Sequence, residues 1–374
     1  MASLMTGVFT PTGSMLEPRY FHNAVGIGDL GVLVIAGEGL GEASGSRFDQ
    51  LAPGAPGGSS ATRLMASVEF YHQASAQWST VAPLPFPRSA SAAVVLQSGL
   101  VLLTAGSESG QSISDVQLYN VSTNRWTPTG PLHTPRFGHT STLLASGNVL
   151  VVGGNNLQSG SGQVQDSVEC YDPLTGHWQR KAWLPVDAMN HTATLLATGE
   201  VLVVGGYSGM QNAALPRAFL YDPTTSRWTE LRPLPAPRMQ HTATLLADGR
   251  VLICGGAAEP FGPAQDLAFI YDPVLNSWDR TLMCVPRKDH SATRLVTGEV
   301  LVVGASSLSQ PEHASTAELY DPRSAQWTLT AALHPGRFGH GACCLSTGQV
   351  LIAGGSRATP HPAPLSNAEL FTLA

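Results

Sequence analysis

Residues His241–Trp278 begin HTATLLADGRVLICGG and end YDPVLNSW. The first half returns at His139 (HTSTLLASGNVLVVGG) and at His191 (HTATLLATGEVLVVGG), and in looser form at His290 (HSATRLVTGEVLVVGA) and His340 (HGACCLSTGQVLIAGG). Counting 14 residues from the lead position to the small-residue pair exposes two more copies, His22 to Ala36-Gly37 and Ser91 to Ala105-Gly106. The second half is a Tyr followed seven residues later by a Trp: Tyr71/Trp78, Tyr119/Trp126, Tyr171/Trp178, Tyr221/Trp228, Tyr271/Trp278 and Tyr320/Trp327. The lead positions 22, 91, 139, 191, 241, 290 and 340 lie 48 to 52 residues apart, except for a first step of 69. Seven copies fill the chain.

A repeat of this length, with Gly-Gly after an apolar run and then Tyr and Trp at fixed spacing, resembles the kelch motif. The resemblance covers nearly the whole chain and implies an all-β, seven-bladed kelch-type β-propeller, one four-stranded blade per repeat.

The residues give the same answer on their own. HTATLLA alternates small polar with apolar residues, as a short strand does, and VLVVGG is a β-branched run suited to a strand buried on both faces. Thr-Gly-Glu, Asp-Gly-Arg and Ser-Gly-Asn between them are tight hairpin turns. A third strand ends at Tyr and turns through Asp-Pro at Asp172, Asp222, Asp272 and Asp321 before a fourth opens at Trp. We label the strands A to D from the axis outwards. Seven inner strands crowd one axis, and the Thr, Ala, Ser and Gly of strand A fit that taper. The Gly pair ends strand B where a Cβ is expected to obstruct the turn.

Composition bounds the function classes. The 374 residues include 39 Gly and 27 Pro with only 12% charged, which describes a compact, turn-rich chain organised as one propeller domain over 1–374. A formal charge of −6 without basic clusters argues against nucleic acid and anionic membrane as partners. The five Cys, at 170, 254, 284, 343 and 344, have no metal-ligand spacing and read as reduced core residues. MASLMTGVFTPTGSML lacks the basic start and unbroken apolar run of a signal peptide, and no stretch is long enough to span a bilayer, so a cytoplasmic monomer is the expectation.

Two segments depart from the repeat. Phe9-Thr-Pro-Thr-Gly13 aligns with Trp126-Thr-Pro-Thr-Gly130, each 13 residues before a lead His, so Phe9 takes a Trp position. The last repeat stops at Phe371, the close of its third strand, and residues 5–15 are predicted to supply its missing outer strand. Blade one carries an insertion over 38–62, rich in Gly, Ser, Ala and Pro, read either as a surface loop or as a lid.

Loops D–A and B–C emerge on one face. The B–C loops vary in length and content while the turns of the opposite face are uniform, which makes the D–A/B–C face the expected binding face. Its D–A junctions read Pro-Arg-x-x-His. Arg19, Arg88, Arg136, Arg238, Arg287 and Arg337 stand three before the lead position, which is His at 22, 139, 191, 241, 290 and 340. Six histidines at one level suggest either bonding between blades or a ring of ligands for a divalent transition metal. No resident cofactor is otherwise expected.

Asymmetry marks the candidate contacts. The junction WLPVDAMNH introduces Trp183 and Asp187, with Met189 and Asn190 before the lead His, and replaces the Arg by Ala188. Two before each lead position stand Tyr20, Ser89, Phe137, Met189, Met239, Lys288 and Phe338, largely apolar, which fits an apolar or aromatic ligand. Lys288-Asp289 adds a polar pair beside His290. Phosphate-binding glycine loops, HExxH and GxSxG are absent. HTATLLADGRVLICGG is similar to the strand bearing a Tyr-His copper pair in copper-radical oxidases of the galactose oxidase type. Here Gln240 stands before His241 and Phe21 before His22, so that pair is missing. The reading is a module that binds a protein, peptide or apolar small molecule on the D–A/B–C face. The competing reading is a stand-alone enzyme acting on a hydrophobic small molecule at the channel mouth.

Overall fold

The structure, a computed structural model, describes residues 6–41, 62–158, 161–307, 310–359 and 363–374. They form seven four-stranded antiparallel sheets in the order expected of a propeller. Blade three is representative, with strand A at Thr140–Leu143, B at Val149–Val152, C at Val168–Asp172 and D at His177–Arg180. In blade seven, strands Gly341–Cys344, Val350–Ala353 and Ala368–Leu373 are completed by Gly7–Pro11. That N-terminal strand runs antiparallel to the last, from Gly7 opposite Leu373 to Pro11 opposite Glu369.

The cores lie between sheets. Leu150, Val152 and Cys170 of blade three pack against Val201, Val203 and Tyr221 of blade four, all nearly or fully buried. A period-2 strand faces one neighbour with each side, so strand B is apolar on both faces, which belong to two different cores; Thr104 of blade two is the buried polar exception. Among the described residues no helix is long and apolar enough to cross a membrane.

The outer Trp residues tie blades in series. Trp178 Nε1 donates to Gly130 O at 2.7 Å, and Trp78 Nε1 donates to Gly13 O at 2.6 Å. Thr129 Oγ1 lies 2.7 Å from Tyr171 Oη and Thr12 Oγ1 lies 2.8 Å from Tyr71 Oη. The two Thr-Pro-Thr-Gly segments therefore do the same work, and the N-terminal segment joins blade seven to blade one.

Each Arg of the junction is fully buried and clamps its own blade. Arg136 donates from Nη1 to Gly153 O and Ser167 O, and from Nη2 to Glu169 Oε1 at 2.6 Å. The carboxylate stands two residues before the strand-C aromatic, as Glu69, Glu169, Glu318 and Glu369 in blades one, three, six and seven. It also accepts the N–H six before the lead position, from Leu16, His133, Cys284 and His334. In blades two, four and five that residue is Pro85, Pro185 or Pro235, and the Glu becomes Gln117, Phe219 or Phe269. Proline has no N–H to satisfy, so the buried acceptor loses one of its two reasons to exist. Blade four drops the Arg as well, and Ala188 and Phe219 make an apolar pair in one core.

The 38–62 insertion is described only at its base, where Glu38–Leu40 pairs with Thr62–Leu64; whether its middle covers the face lies outside the described residues. All five Cys are free; Cys170 and Cys254 are buried as expected, whereas Cys284 is exposed.

Candidate binding face at the channel mouth

Strand A begins just after the lead position, so the residues before it ring the mouth of the central channel. The lead histidines are committed to neighbouring blades. Nε2 of His191, His241 and His290 lies 2.9 to 3.0 Å from Oγ1 of Thr140, Thr192 and Thr242, the first residue of the preceding strand A. His340 meets Ser291 Oγ at 2.7 Å and His139 meets Thr104 Oγ1 at 2.8 Å. Where blade two has Ser91 instead, Asn23 Nδ2 donates to its hydroxyl at 2.9 Å. His22 faces Gly341, where a Cβ would come within 2.7 Å of its Nε2. Burial holds the six imidazoles neutral, with His191 lowered to about 4, His22, His290 and His340 to about 3, and His139 and His241 well below the usual value. Among the described residues no three His, Cys, Asp or Glu converge as a metal site would require.

The Gly pair matches its sequence reading. A Cβ at Gly205, φ +62°, would stand 2.5 Å from Arg238 O of the next blade, and one at Gly206, φ +95°, 2.8 Å from Met189 O. Strand B must end there without side chains.

The residues two before the lead position are placed otherwise than their apolarity suggested. Tyr20, Phe137, Met189 and Met239 are buried, because each pairs with the B–C loop of its own blade: with Glu38, Asn155, Tyr207 and Ala257. Phe338 pairs likewise with Ser356 and is half-buried. Asp187 is also buried. It accepts from Ser208 Oγ and from the N–H groups of Gly209 at 2.8 Å and Met210 at 3.0 Å, which fixes the blade-four B–C turn. Trp183 is 64% exposed, but it stands on the outer rim of blade three rather than at the mouth. The reason is its place in the junction: Ala182 O accepts the outer Trp228 Nε1 at 2.8 Å, so the chain has only begun its inward path there.

The residue immediately before the lead position is the one that opens on the channel. Phe21, Ala90, Gly138, Asn190, Gln240, Asp289 and Gly339 all have φ between +50° and +63° and are all partly exposed. Their backbones bond in series from blade two round to blade one. Asn190 N donates to Gly138 O, Gln240 N to Asn190 O, Asp289 N to Gln240 O, Gly339 N to Asp289 O, Phe21 N to Gly339 O and Gly138 N to Ala90 O, at 2.8 to 3.4 Å. Side chains therefore differ on a common frame. Blades four to six present Asn190, Gln240 and Asp289, with Gln240 Nε2 donating to Asp289 Oδ1 at 3.1 Å. Burial raises the Asp289 carboxyl to about 6, opposed by the Lys288 charge and the Gln240 bond. Lys288 itself donates to Gly262 O at 2.9 Å and so ties down the blade-five B–C loop. Blades seven, one, two and three present Gly339, Phe21, Ala90 and Gly138, with Phe21 against Tyr20 at 5.0 Å and Phe338 at 6.1 Å between ring centroids.

This ring of left-handed residues was not legible as a unit, since its seven identities differ. Its one signal was the Asn, Asp and Gly at four of the seven positions, the types that tolerate positive φ.

The profile of the KLHDC2/KLHL20/DRC7 kelch-repeats domain matches residues 55–256 and 138–355, more than half of the chain. The chain belongs to the kelch-repeat propellers. No curated protein sequence matches it. Among solved structures, this kelch propeller is similar to a fungal alcohol oxidase of the AA5 family described in complex with copper, with a TM-score of 0.76 and 16% identity over 98% of this chain and 76% of that one. It is also similar to a protein named YjhT, with a TM-score of 0.60 and 17% identity over 78% of this chain and 98% of that one. At those identities the likeness carries the fold alone. Here the lead histidines point their Nε2 atoms at hydroxyls or glycine of the preceding blade, and among the described residues no three His, Cys, Asp or Glu converge.

Proposed function

We propose that this kelch propeller is a binding module whose D–A/B–C face takes a peptide, protein segment or small ligand at the channel mouth. The observation that carries the reading is the two-sided mouth. Seven residues share one backbone conformation and six main-chain bonds link them in series from Ala90 round to Phe21, yet one arc is amide and carboxyl while the other is aromatic and small. The other repeated positions are spent on holding blades: Arg on carbonyls and carboxylate, His on hydroxyls, Trp on the preceding blade. An asymmetric set on a symmetric frame is where selection for a ligand would act. The polar arc would fix orientation through directed hydrogen bonds and the Phe21 side would supply apolar contact, the division of labour usual in small-ligand sites.

The test is a random-peptide display selection against the intact protein, followed by titration of the selected peptides. Gln240→Ala and Phe21→Ala should each weaken binding about tenfold or more at unchanged Tm, which corresponds to about 1.4 kcal/mol. Leu174→Ala, an exposed residue on the opposite face, should leave binding as it is. Peptides indifferent to the mouth and sensitive to Leu174 would overturn the assignment.

A second reading rests on Asp289. A carboxyl raised to about 6 is suited to proton transfer near neutral pH, so the same mouth would serve an enzyme acting on a hydrophobic small molecule. Turnover that survives Asp289→Asn would exclude that role for it.

A further inference from the structure

A second concavity lies on the upper outer rim of blade three, away from the mouth and independent of the reading just given. It encloses about 310 Å³, and its rim carries Trp183, Arg180, Gln163, Gln165 and Asp166 above a floor that includes Glu169. The floor is already committed, since Glu169 takes Arg136 and the N–H groups of His133 and Thr134. The rim is not. Gln165 Nε2 donates to Gln163 O at 2.9 Å, while the side chains of Gln163, Asp166 and Arg180 make no hydrogen bond to the described residues.

The repeat does not require a Trp here. The residue eight before the lead position is Ser14, Pro83, Pro131, Pro233, Leu282 or Ala332 in the other blades, on the same path between strand D and the axis. The chain on either side of Trp183 is fixed. Ala182 O holds Trp228, and Leu184 is buried with its N–H donating to Asp166 O at 2.8 Å. An indole 64% exposed on a rigid base, with no core to fill, leaves a large apolar surface in water that a ligand can cover.

We propose that this groove is a saccharide-binding site, in which the C–H face of a neutral pyranose ring stacks on Trp183 and its hydroxyls bond the rim. Three features select that class. A single exposed indole matches one sugar unit; an extended proline-rich peptide is met by a row of aromatics. The rim mixes donors and acceptors, Arg180, Asp166 and two carboxamides, as a hydroxyl that both donates and accepts requires. Arg180 and Asp166 cancel in charge, so a neutral ligand is favoured over an anionic or cationic one. The volume stands at the lower end of the roughly 300–1,000 Å³ usual for small-ligand sites, which suits one or two sugar units.

The experiment is a glycan array probed with the intact protein, then saturation-transfer NMR and calorimetric titration with the oligosaccharide that gives the strongest signal. Transfer should concentrate on ring C–H protons. Trp183→Ala should lower affinity tenfold or more at unchanged Tm, Trp183→Phe should retain part of it, and Gln165→Ala should weaken it with no change in fold. No bound glycan, or binding unaffected by Trp183→Ala, overturns the proposal. So does a proline-rich peptide that binds this groove when no sugar does. Mouth variants such as Gln240→Ala should not touch the sugar affinity, which keeps the two sites separable.

Discussion

The guanidinium carbon of Arg238 lies 4.4 Å over the ring centroid of Phe269, where Arg136 instead meets the carboxylate of Glu169 at 2.6 Å. Both arginines are fully buried, but only one has an anion. Arg238 keeps bonds from Nη1 to Gly255 O and Leu267 O, while its Nε and Nη2 have none, and burial lowers it to about 10. Arg136→Met leaves Glu169 buried without its cation and should cost about 3–5 kcal/mol. Arg238→Met forfeits two carbonyl bonds and strands no charge, so about 1–3 kcal/mol is expected. Urea unfolding of the two variants side by side checks this; equal losses would show that the carboxylate is not what makes the clamp.

The six neutral lead histidines make the fold acid-sensitive. Each titrates near 6.5 when unfolded and near 3 to 4 or well below the usual value when folded, so between those limits the unfolded chain binds more protons. Stability therefore rises with pH through that window, by about 1.4 kcal/mol per pH unit for each histidine, and is complete above it. Asp289 works the other way. Raised to about 6, it holds a proton in the folded state that the unfolded chain has released, and it offsets one histidine between about 4 and 6. Tm measured from pH 7.5 down to 4.5 should fall most steeply below 6.5. A flat profile would mean that the imidazoles are not held neutral.

Removing the N-terminal strand should open the ring. Without residues 1–12, the Ala368–Leu373 strand loses all five partner residues and its edge is bare, and the Thr12–Tyr71 bond goes with it. A sharp fall in Tm with aggregation in light scattering is the expected result, and an unchanged Tm would overturn closure by this strand.

The seam between blades seven and one admits no side chain. A Cβ on Gly341 would come within 2.6 Å of Ala24 Cβ as well as 2.7 Å of His22 Nε2, so Gly341→Ala should destabilise by about 1–3 kcal/mol through overpacking. Thr192→Ala, which deletes the hydroxyl used by His241 at an ordinary seam, should cost about 1 kcal/mol. Thermal melts rank the two; a neutral Gly341→Ala would mean that these blades can part.

Periodicity carried most of this architecture. Lead position, Gly pair, Tyr and Trp recur at fixed distances because each touches the adjacent blade in the same way, and even the stand-in strand at Phe9 was readable from Thr-Pro-Thr-Gly. The arrangement of the D–A and B–C loops was legible; the side chains that open on the channel were less so. Apolar residues two before the lead drew attention, yet Tyr20 and Met239 are covered by their own B–C loops. Asp187 looked like a break in the pattern and is one, spent on capping a turn. Trp183 stood out as a candidate contact, but a one-dimensional junction hides its radial course: eight residues before the lead is the rim, one residue before it is the axis. The exchange of Glu for Gln or Phe where Pro stands six before the lead links residues more than 30 apart, and only the three-dimensional blade shows why they change together.

The left-handed ring also has a consequence for how such a protein can change. Because the frame of the mouth is bonded through main-chain atoms, its seven positions behave as a short alphabet that can be rewritten letter by letter. Gly, Asn and Asp are the inexpensive letters there, and Phe21, Ala90 and Gln240 cost roughly 1–2 kcal/mol each for their backbone conformation. On the proposed binding function, a propeller with the same blades and a different word at these positions would recognise something else.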